Sequence, residues 1–530
     1  MRDLQQPGRS VVHATNGAAA TSHPFSTLAA MEILQAGGNA VDAAVAACAV
    51  QCVVEPMSTG IGGDCFVLLQ KGGQGPVIGL NGSGHAPAKL TADHLLDQGI
   101  DSIGLESPHS VTVPGAVDAW CRLLDDHGTM GIDRVLQRAI AYAESGFAVT
   151  PRISVDWSRN VKRLSLDASS AAQYLRDGVS PSAGEVWRSP ELAGTLKAIA
   201  SKGRAGFYEG AVAEDIVAHL QSHGAVHELD DLAAQACDYV DPISSEYAGR
   251  QIMEIPPNGQ GVTALLMLNI LKGFDLEAYD PVSVERLHIE AEATRLAFAE
   301  RDKYVADPRQ SNVPVEHLLS EELAAELREK ISLGKAMADP AKVTGPVYRD
   351  TVYLTVVDRD LNAVSFINSL YFSFGSCLTA PKSGVLLQNR GAGFVVDKEH
   401  PNCVAPRKRP LHTIIPGMVL GGDGRCEISF GVMGGGYQPV GHAHLLTNIF
   451  DYGMDVQEAI DCPRTFHVAG KLDVERSVPD NVRQGLAALG HETQTPEMPW
   501  GGAQAIMIDY RNGTMAAGSD PRKDGCAMGF

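Results

Sequence analysis

Three features of this sequence predict an α+β fold: a front part with mostly helical periodicity, an abrupt change to a β pattern at Thr351, and glycine-punctuated strands from there onward. The change falls in the stretch Asp350-Thr-Val-Tyr-Leu-Thr-Val-Val-Asp358. Just upstream, residues 333–349 (LGKAMADPAKVTGPVYR) hold two prolines, two glycines and no apolar period, the composition of an exposed connection. Downstream, Val352, Leu354 and Val356 alternate with Tyr353, Thr355 and Val357, strand spacing with bulk on both faces as in a buried strand. Residues 359–362 turn the chain, and 363–370 return as a second strand.

Taken in order, Ser26 is placed to cap a helix to about residue 35, and Asn39 to cap a second through Val54, giving an Ala-rich hairpin. Residues 58–64 (STGIGGD) are too glycine-dense for regular structure and lead into a strand at 65–70. No Lys-Ser/Thr follows, so this is no phosphate loop, and a close backbone approach to another segment or a ligand explains the glycines better. A turn at 81–88 precedes a capped segment at Thr91. Helical patterns then cover 116–125, 133–145, 190–202, 210–223, 262–271, 282–304 and 320–332, broken by a strand-like 249–254 and a rigid turn at 255–261 (IPPNGQG). After Thr351, strands are expected at 383–387, 418–420 and 428–432, and residues 397–409 (DKEHPNCVAPRKR) have the composition of a surface lid. The last strand runs into Met433-Gly-Gly-Gly436 and a helix from about 440 to 452. Backbone N–H groups in such a turn can converge on an oxyanion.

With 530 residues, 44% of them hydrophobic and 20% charged, the chain can bury a large core, enough for roughly two to four domain-sized units. A net charge of -20 argues against a nucleic-acid or anionic-membrane partner, since both demand concentrated positive charge. The N-terminal stretch lacks the apolar core of a secretory signal, and the apolar 40–54 segment carries Asp42 and is too short to span a bilayer. Ten scattered cysteines without a CxxC pair or metal spacing fit buried free thiols in a reducing cytoplasm. No metal or organic cofactor signature is visible.

A hydroxyl residue that opens a buried strand behind an exposed connection becomes a new N-terminus if the Asp350–Thr351 bond is cut. Its α-amine, with a pKa of roughly 7.7 to 8.0 in model peptides, can then take the proton of its own hydroxyl, so Thr351 would hold nucleophile and base together. Taken alone, Asp-Thr reads more readily as a turn or cap before a strand, and only its context points to a nucleophile.

Context comes from motifs in order: residues 37–46 (GGNAVDAAVA), 60–64 (GIGGD), 86–89 (APAK), 256–261 (PPNGQG), 351–365 (TVYLTVVDRDLNAVS) and 434–461 (GGGYQPVGHAHLLTNIFDYGMDVQEAID). Together they resemble the gamma-glutamyltransferase family of N-terminal nucleophile hydrolases along nearly the whole chain. The resemblance implies a four-layer αββα sandwich and a proenzyme that cuts itself before Thr351 into a large chain, 1–350, and a small chain, 351–530. It also implies that Thr351 attacks first the Asp350 carbonyl and later substrate amides, that Gly434 and Gly435 donate to the oxyanion, and that Ser369 steadies the nucleophile.

Departures from the family pattern bear on substrate. Where the family's transpeptidases hold an α-carboxylate with arginine, this chain has Ser83; where they hold an α-ammonium with aspartate, Gln388-Asn-Arg-Gly-Ala-Gly-Phe394 presents Gly393; their Ser-Ser pair becomes His412-Thr413. Each lost charge-assisted hydrogen bond is worth roughly 1.5 to 3 kcal/mol, which disfavours a γ-glutamyl substrate. The substrate pocket is expected to hold Arg390, His412, Thr413, Asn368 and Tyr371, with Arg390 binding a carboxylate bidentately. By residue type alone, Arg390 could equally pair with Asp397, His412 could be a satisfied core histidine, Tyr371 could be packing, and Asn368 could close a strand edge. QNRGAGF, INSLYFSFGS and RPLHTIIPG are similar to the branch that includes oxamate amidohydrolase, which implies a small carboxylate-bearing amide and a place in purine-ring degradation. The alternatives are a γ-glutamyl hydrolase or transferase, a cephalosporin-type acylase, and an uncleaved scaffold without activity. The expected partners are the amide substrate and the two chains of one precursor, with a dimer of that heterodimer as a further expectation.

Overall fold

Strand alternation decides how this molecule is layered. In the computed structural model, which describes residues 8–338 and 351–530, strands Val352–Asp358 and Ala363–Ser369 pair antiparallel at the centre of a seven-stranded sheet. Its order is Cys526–Gly529, Gly17–Thr21, Val352–Asp358, Ala363–Ser369, Asp64–Gln70, Ile78–Gly82 and Asp238–Val240. Even-numbered Leu354, Val356, Val364 and Phe366 pack with the helices Pro24–Gln35 and Ala40–Val54. Odd-numbered Tyr353, Val357 and Ile367 turn instead to a second seven-stranded sheet, joining Met418, Met433 and Ile506.

That second sheet runs Val12–Ala14, Thr514–Ser519, Gly502–Asp509, Cys426–Met433, Gly417–Leu420, Arg250–Glu254 and Ile243–Tyr247. Its outer face, including Ile252, Val419, Ile428 and Phe430, packs on helices Gly261–Leu271, Val284–Tyr304 and Gln438–Phe450. The result is the expected α+β, four-layer αββα sandwich. Both sheets draw strands from before and after Thr351, so neither part has a core of its own and the composition-based expectation of several domains gives way to one sandwich. Among the described residues no helix is long and apolar enough to cross a membrane. All ten cysteines are free thiols, eight of them buried.

Local differences have physical causes. The first helix is capped not by Ser26 but by His23, whose Nδ1 accepts from the Phe25 N–H; the Ser26 hydroxyl donates to Ala47 O across the helical hairpin. Asn39 caps the second helix as expected, in a capping box with Asp42. The expected strand at 383–387 is a turn with isolated bridges at Leu386 and Leu387, because Asp215 takes the amides of Lys382 and Ser383 and Gly384 has φ +67°. The expected lid at 397–409 is docked: Asn402 donates to Gly393 O and accepts from Leu411 N, and Lys408 and Arg409 are buried. Part of the expected connection is tied down too, since Ala336 N donates to Leu489 O and Met337 N to the Glu292 carboxylate. Asp350 and residues 339–349 lie outside the described residues.

Candidate active site

Thr351 is fully buried just ahead of the central strand, on the odd-numbered side that faces the seam between the sheets. The strand register, Val352 opposite Asn368, sets Thr351 beside Ser369, and their hydroxyl oxygens are 3.2 Å apart. Ser369 Oγ also accepts the Tyr371 N–H at 2.9 Å, an amide aimed by the positive φ of Tyr371, +81°. A non-glycine residue pays for that conformation in strain, and here it orients the group beside the expected nucleophile.

Across the seam, Thr355 Oγ1 donates to Ser429 Oγ at 2.7 Å, and a Cβ on Gly431 would lie 2.3 Å from the Tyr353 ring. The progression from 355 to 353 on one strand and from 429 to 431 on the other carries Thr351 to the corner at Met433 and Gly434. There the strand Cys426–Met433 ends, Gly434 takes φ +120° against Gly501, and the chain passes through one 3-10 turn into helix Gln438–Phe450. Gln260 braces this corner, its Nε2 donating to Gly435 O at 2.9 Å and Thr413 O at 2.7 Å while its Oε1 accepts from Arg301.

Tyr371, Arg390 and Thr413 meet. The turn after Ser369 is tied to the 388–390 segment by Asn389 N donating to Leu370 O and by Phe372 N donating to Asn389 Oδ1. Arg390 is fully buried, with Cζ 4.2 Å from the Tyr371 ring centroid and NH1 donating to Thr413 Oγ1 at 2.7 Å. Its Nε and NH2 have no hydrogen-bond partner, and among the described residues no carboxylate pairs with it, Asp397 included. A buried cation without a counter-ion is costly by several kcal/mol, and two of the donors on this guanidinium are open. The contacts run without a break from Thr351 through Ser369, Tyr371, Arg390 and Thr413 to Gln260 and Gly435.

Three expected pocket residues are differently engaged. Asn368, on the even-numbered side, turns away from the seam and donates to Thr59 Oγ1 and Gly60 O, bracing the glycine loop. That loop closely approaches other backbone, as its glycines suggested: a Cβ on Gly63 would lie 2.3 Å from Ser369 O. The Ser83 hydroxyl is committed to Gly84 O and the Asn258 amide. His412 is a satisfied core histidine, with Nε2 2.9 Å from Asp64 Oδ2 and Nδ1 accepting from Ile414 N. Asp64 is the hub that the sequence reading missed: its other oxygen takes Gly84 N, Gly115 N and Gln388 Nε2. A lone aspartate closing a glycine loop and a glutamine ahead of Arg390 were the only signals, and neither is distinctive.

Burial, helped by the Arg390 charge and opposed by Asp64, holds the His412 imidazole down to about 3. Burial likewise lowers His23 and His491 to about 3 and His227 and His467 to about 4. All five folded values lie below the roughly 6.5 of an unfolded histidine. Between about pH 6.5 and 4 the unfolded chain therefore binds protons that the folded chain refuses, and stability falls as pH falls. Glu55, pushed up to about 7 by burial, acts in the opposite sense over part of that window. With each group worth up to about 1.4 kcal/mol per pH unit, the histidines prevail. The urea midpoint should be clearly lower at pH 5 than at pH 7.5, and equal midpoints would contradict this account.

A hydroxyl at the head of a central strand, facing the seam of an αββα sandwich next to a strand, glycine turn and helix, defines the class of N-terminal nucleophile hydrolases. A match to the gamma-glutamyltranspeptidase family covers residues 26–530, and the chain belongs to that family. It is 40% identical over 522 residues to the glutathione hydrolase-like YwrD proenzyme of Bacillus subtilis (strain 168), spanning 96% of this chain and 97% of that protein. It is 34% identical over 532 residues to the oxamate amidohydrolase proenzyme of Klebsiella pneumoniae, spanning 97% and 99%. The crystal structure of cephalosporin acylase from Bacillus halodurans superposes with a TM-score of 0.92 at 40% identity, covering 100% of this chain and 99% of that one. The protein is a self-processing amidohydrolase or acylase of this family, cleaving amide C–N bonds.

Proposed function

We propose that the protein hydrolyses a small amide bearing a carboxylate, with oxamate, cleaved to oxalate and ammonia, as the leading substrate. The observation that carries this is Arg390, buried with two unpartnered donors on a guanidinium already oriented by Thr413 and Tyr371. A planar fork with donors to spare suits a carboxylate held bidentately. The position where the family's transpeptidases hold an ammonium group is Gly393, which brings no acid of its own to an amine; a Cβ there would have nothing nearer than Leu411 O at 3.5 Å.

In this scheme the chain is cut before Thr351, and the freed α-amine takes the hydroxyl proton as Oγ1 attacks the amide carbonyl. Ser369 orients the hydroxyl, and the amides at the Gly434–Gly435 corner receive the oxyanion; losing one such donor commonly costs about 3 to 4 kcal/mol in the barrier. Collapse of the tetrahedral intermediate breaks the C–N bond, the α-ammonium gives its proton to the leaving nitrogen, and ammonia departs. Water then hydrolyses the ester and regenerates the hydroxyl. A cytoplasmic location and a role in purine-ring degradation accompany this substrate assignment as proposals.

A second substrate class is favoured by the greater identity to the B. subtilis hydrolase-like protein and the B. halodurans acylase than to the oxamate enzyme. In that case the amide carries a larger acyl group. Processed protein should release ammonia from oxamate faster than it releases the chromophore from a γ-glutamyl anilide or the side chain from a cephalosporin. No ammonia from oxamate would overturn the oxamate assignment and leave the larger amides.

A further inference from the structure

Away from the Thr351 seam, two histidines one helical turn apart meet an aspartate from another helix. His219 lies in the last turn of helix Gly210–Ser222 and His223 is its C-terminal cap, so the pair shares one face. Asp167 caps helix Ala168–Tyr174. The ligand-capable atoms of the three lie within 4.8 Å of one another.

Two details separate this cluster from a chance gathering. Asp167 uses Oδ2 for Ser170 N and Thr379 N and presents Oδ1 to both rings, 3.6 Å from His219 Nε2 and 3.5 Å from His223 Nε2. Those separations exceed a hydrogen bond, and His219 Nε2, on a side chain 8% exposed, has no hydrogen-bond partner. His223 Nδ1, meanwhile, lies 3.0 Å from His219 O; donating there fixes the tautomer whose Nε2 lone pair faces Asp167. A ring N–H donated to a backbone carbonyl is the usual support of a metal-binding histidine.

We propose that Asp167, His219 and His223 form a zinc site. Zinc bonds of about 2.0 to 2.1 Å at the tetrahedral angle set neighbouring ligand atoms about 3.3 Å apart, slightly closer than the 3.6 and 3.5 Å from Asp167 Oδ1 to the two rings. Two imidazoles and a carboxylate match zinc's ligand preference, and the negative end of the Gly210–Ser222 helix dipole favours a cation. The site lies outside the contacts that join Thr351 to Arg390, so the ion has a bracing role. It would clamp the two helices that hold the 379–383 segment, Asp167 through Thr379 N and Asp215, one turn before His219, through Lys382 N and Ser383 N. That segment leads directly to Gln388 and Arg390.

The test uses tag-free full-length protein stripped with EDTA and dialysed against micromolar zinc. Wild type should retain about one zinc per chain, show a visible d–d band when loaded with cobalt(II), and melt at a higher temperature with zinc than with EDTA. The variants His223→Gln and His219→Gln/His223→Gln should bind zinc roughly a hundredfold or more weaker and lose the zinc-dependent melting shift. In EDTA, His223→Gln, which changes a partly exposed side chain, should melt like wild type. Failure of wild type to bind zinc, or equal zinc binding by wild type and His223→Gln, would overturn the site. Neither result bears on the role of Thr351.

Discussion

Thr351→Ala is expected to remain a single 56.2 kDa chain on a denaturing gel and to lose amide hydrolysis by about 10,000-fold or more. Both losses have one cause. The Thr351 hydroxyl lies beside Ser369 on the seam side of the strand, and the same atom is asked to attack the Asp350 carbonyl during processing and the substrate carbonyl afterwards. Alanine keeps the strand, the burial and the Val352–Asn368 register, so the variant should fold and melt close to wild type. Thr351→Ser should retain both activities at reduced rate, since it loses only the methyl that restricts χ1. Processed, active Thr351→Ala protein would refute the assignment of the nucleophile.

Arg390→Met should raise KM for oxamate by roughly a hundredfold, the equivalent of about 3 kcal/mol for a charge-assisted contact. KM for an amide without a carboxylate should change little. The empty protein should meanwhile be as stable as wild type or more so, because replacing an uncompensated buried cation with an apolar side chain of similar length removes a desolvation cost. Loss of the NH1 bond to Thr413 and of the cation–π contact with Tyr371 offsets part of that gain. An arginine serving only the fold would give the reverse result, a large fall in melting temperature with KM unchanged.

Much of the sandwich was legible in the chain itself. The Asn39 cap, the helix at 190–202, the central strand pair and the strand into Met433-Gly-Gly-Gly436 all follow from local rules of capping, alternation and turn chemistry. Such rules act over a few residues and so leave a trace in a few residues. The strand expected at 383–387 failed because Asp215, far away in sequence, takes its amides. The lid failed for the same kind of reason: polar composition says that a segment can face water, and it does not reveal that Asn402 ties it to Gly393 and Leu411.

The sequence by itself determined the fold class, the family motifs, and Thr351 as the hydroxyl that opens the central strand. These are properties of order and spacing. Which polar residues are spent on the fold and which remain for a ligand was decided only by tertiary structure. His412, Asn368 and Ser83 have the same chemistry as pocket donors but meet Asp64, Gly60 and Asn258, whereas Arg390 meets Thr413 and keeps two donors in reserve. Hydrogen-bond capacity is written in the residue type; whether it is already used depends on neighbours that lie from 23 to 348 positions away.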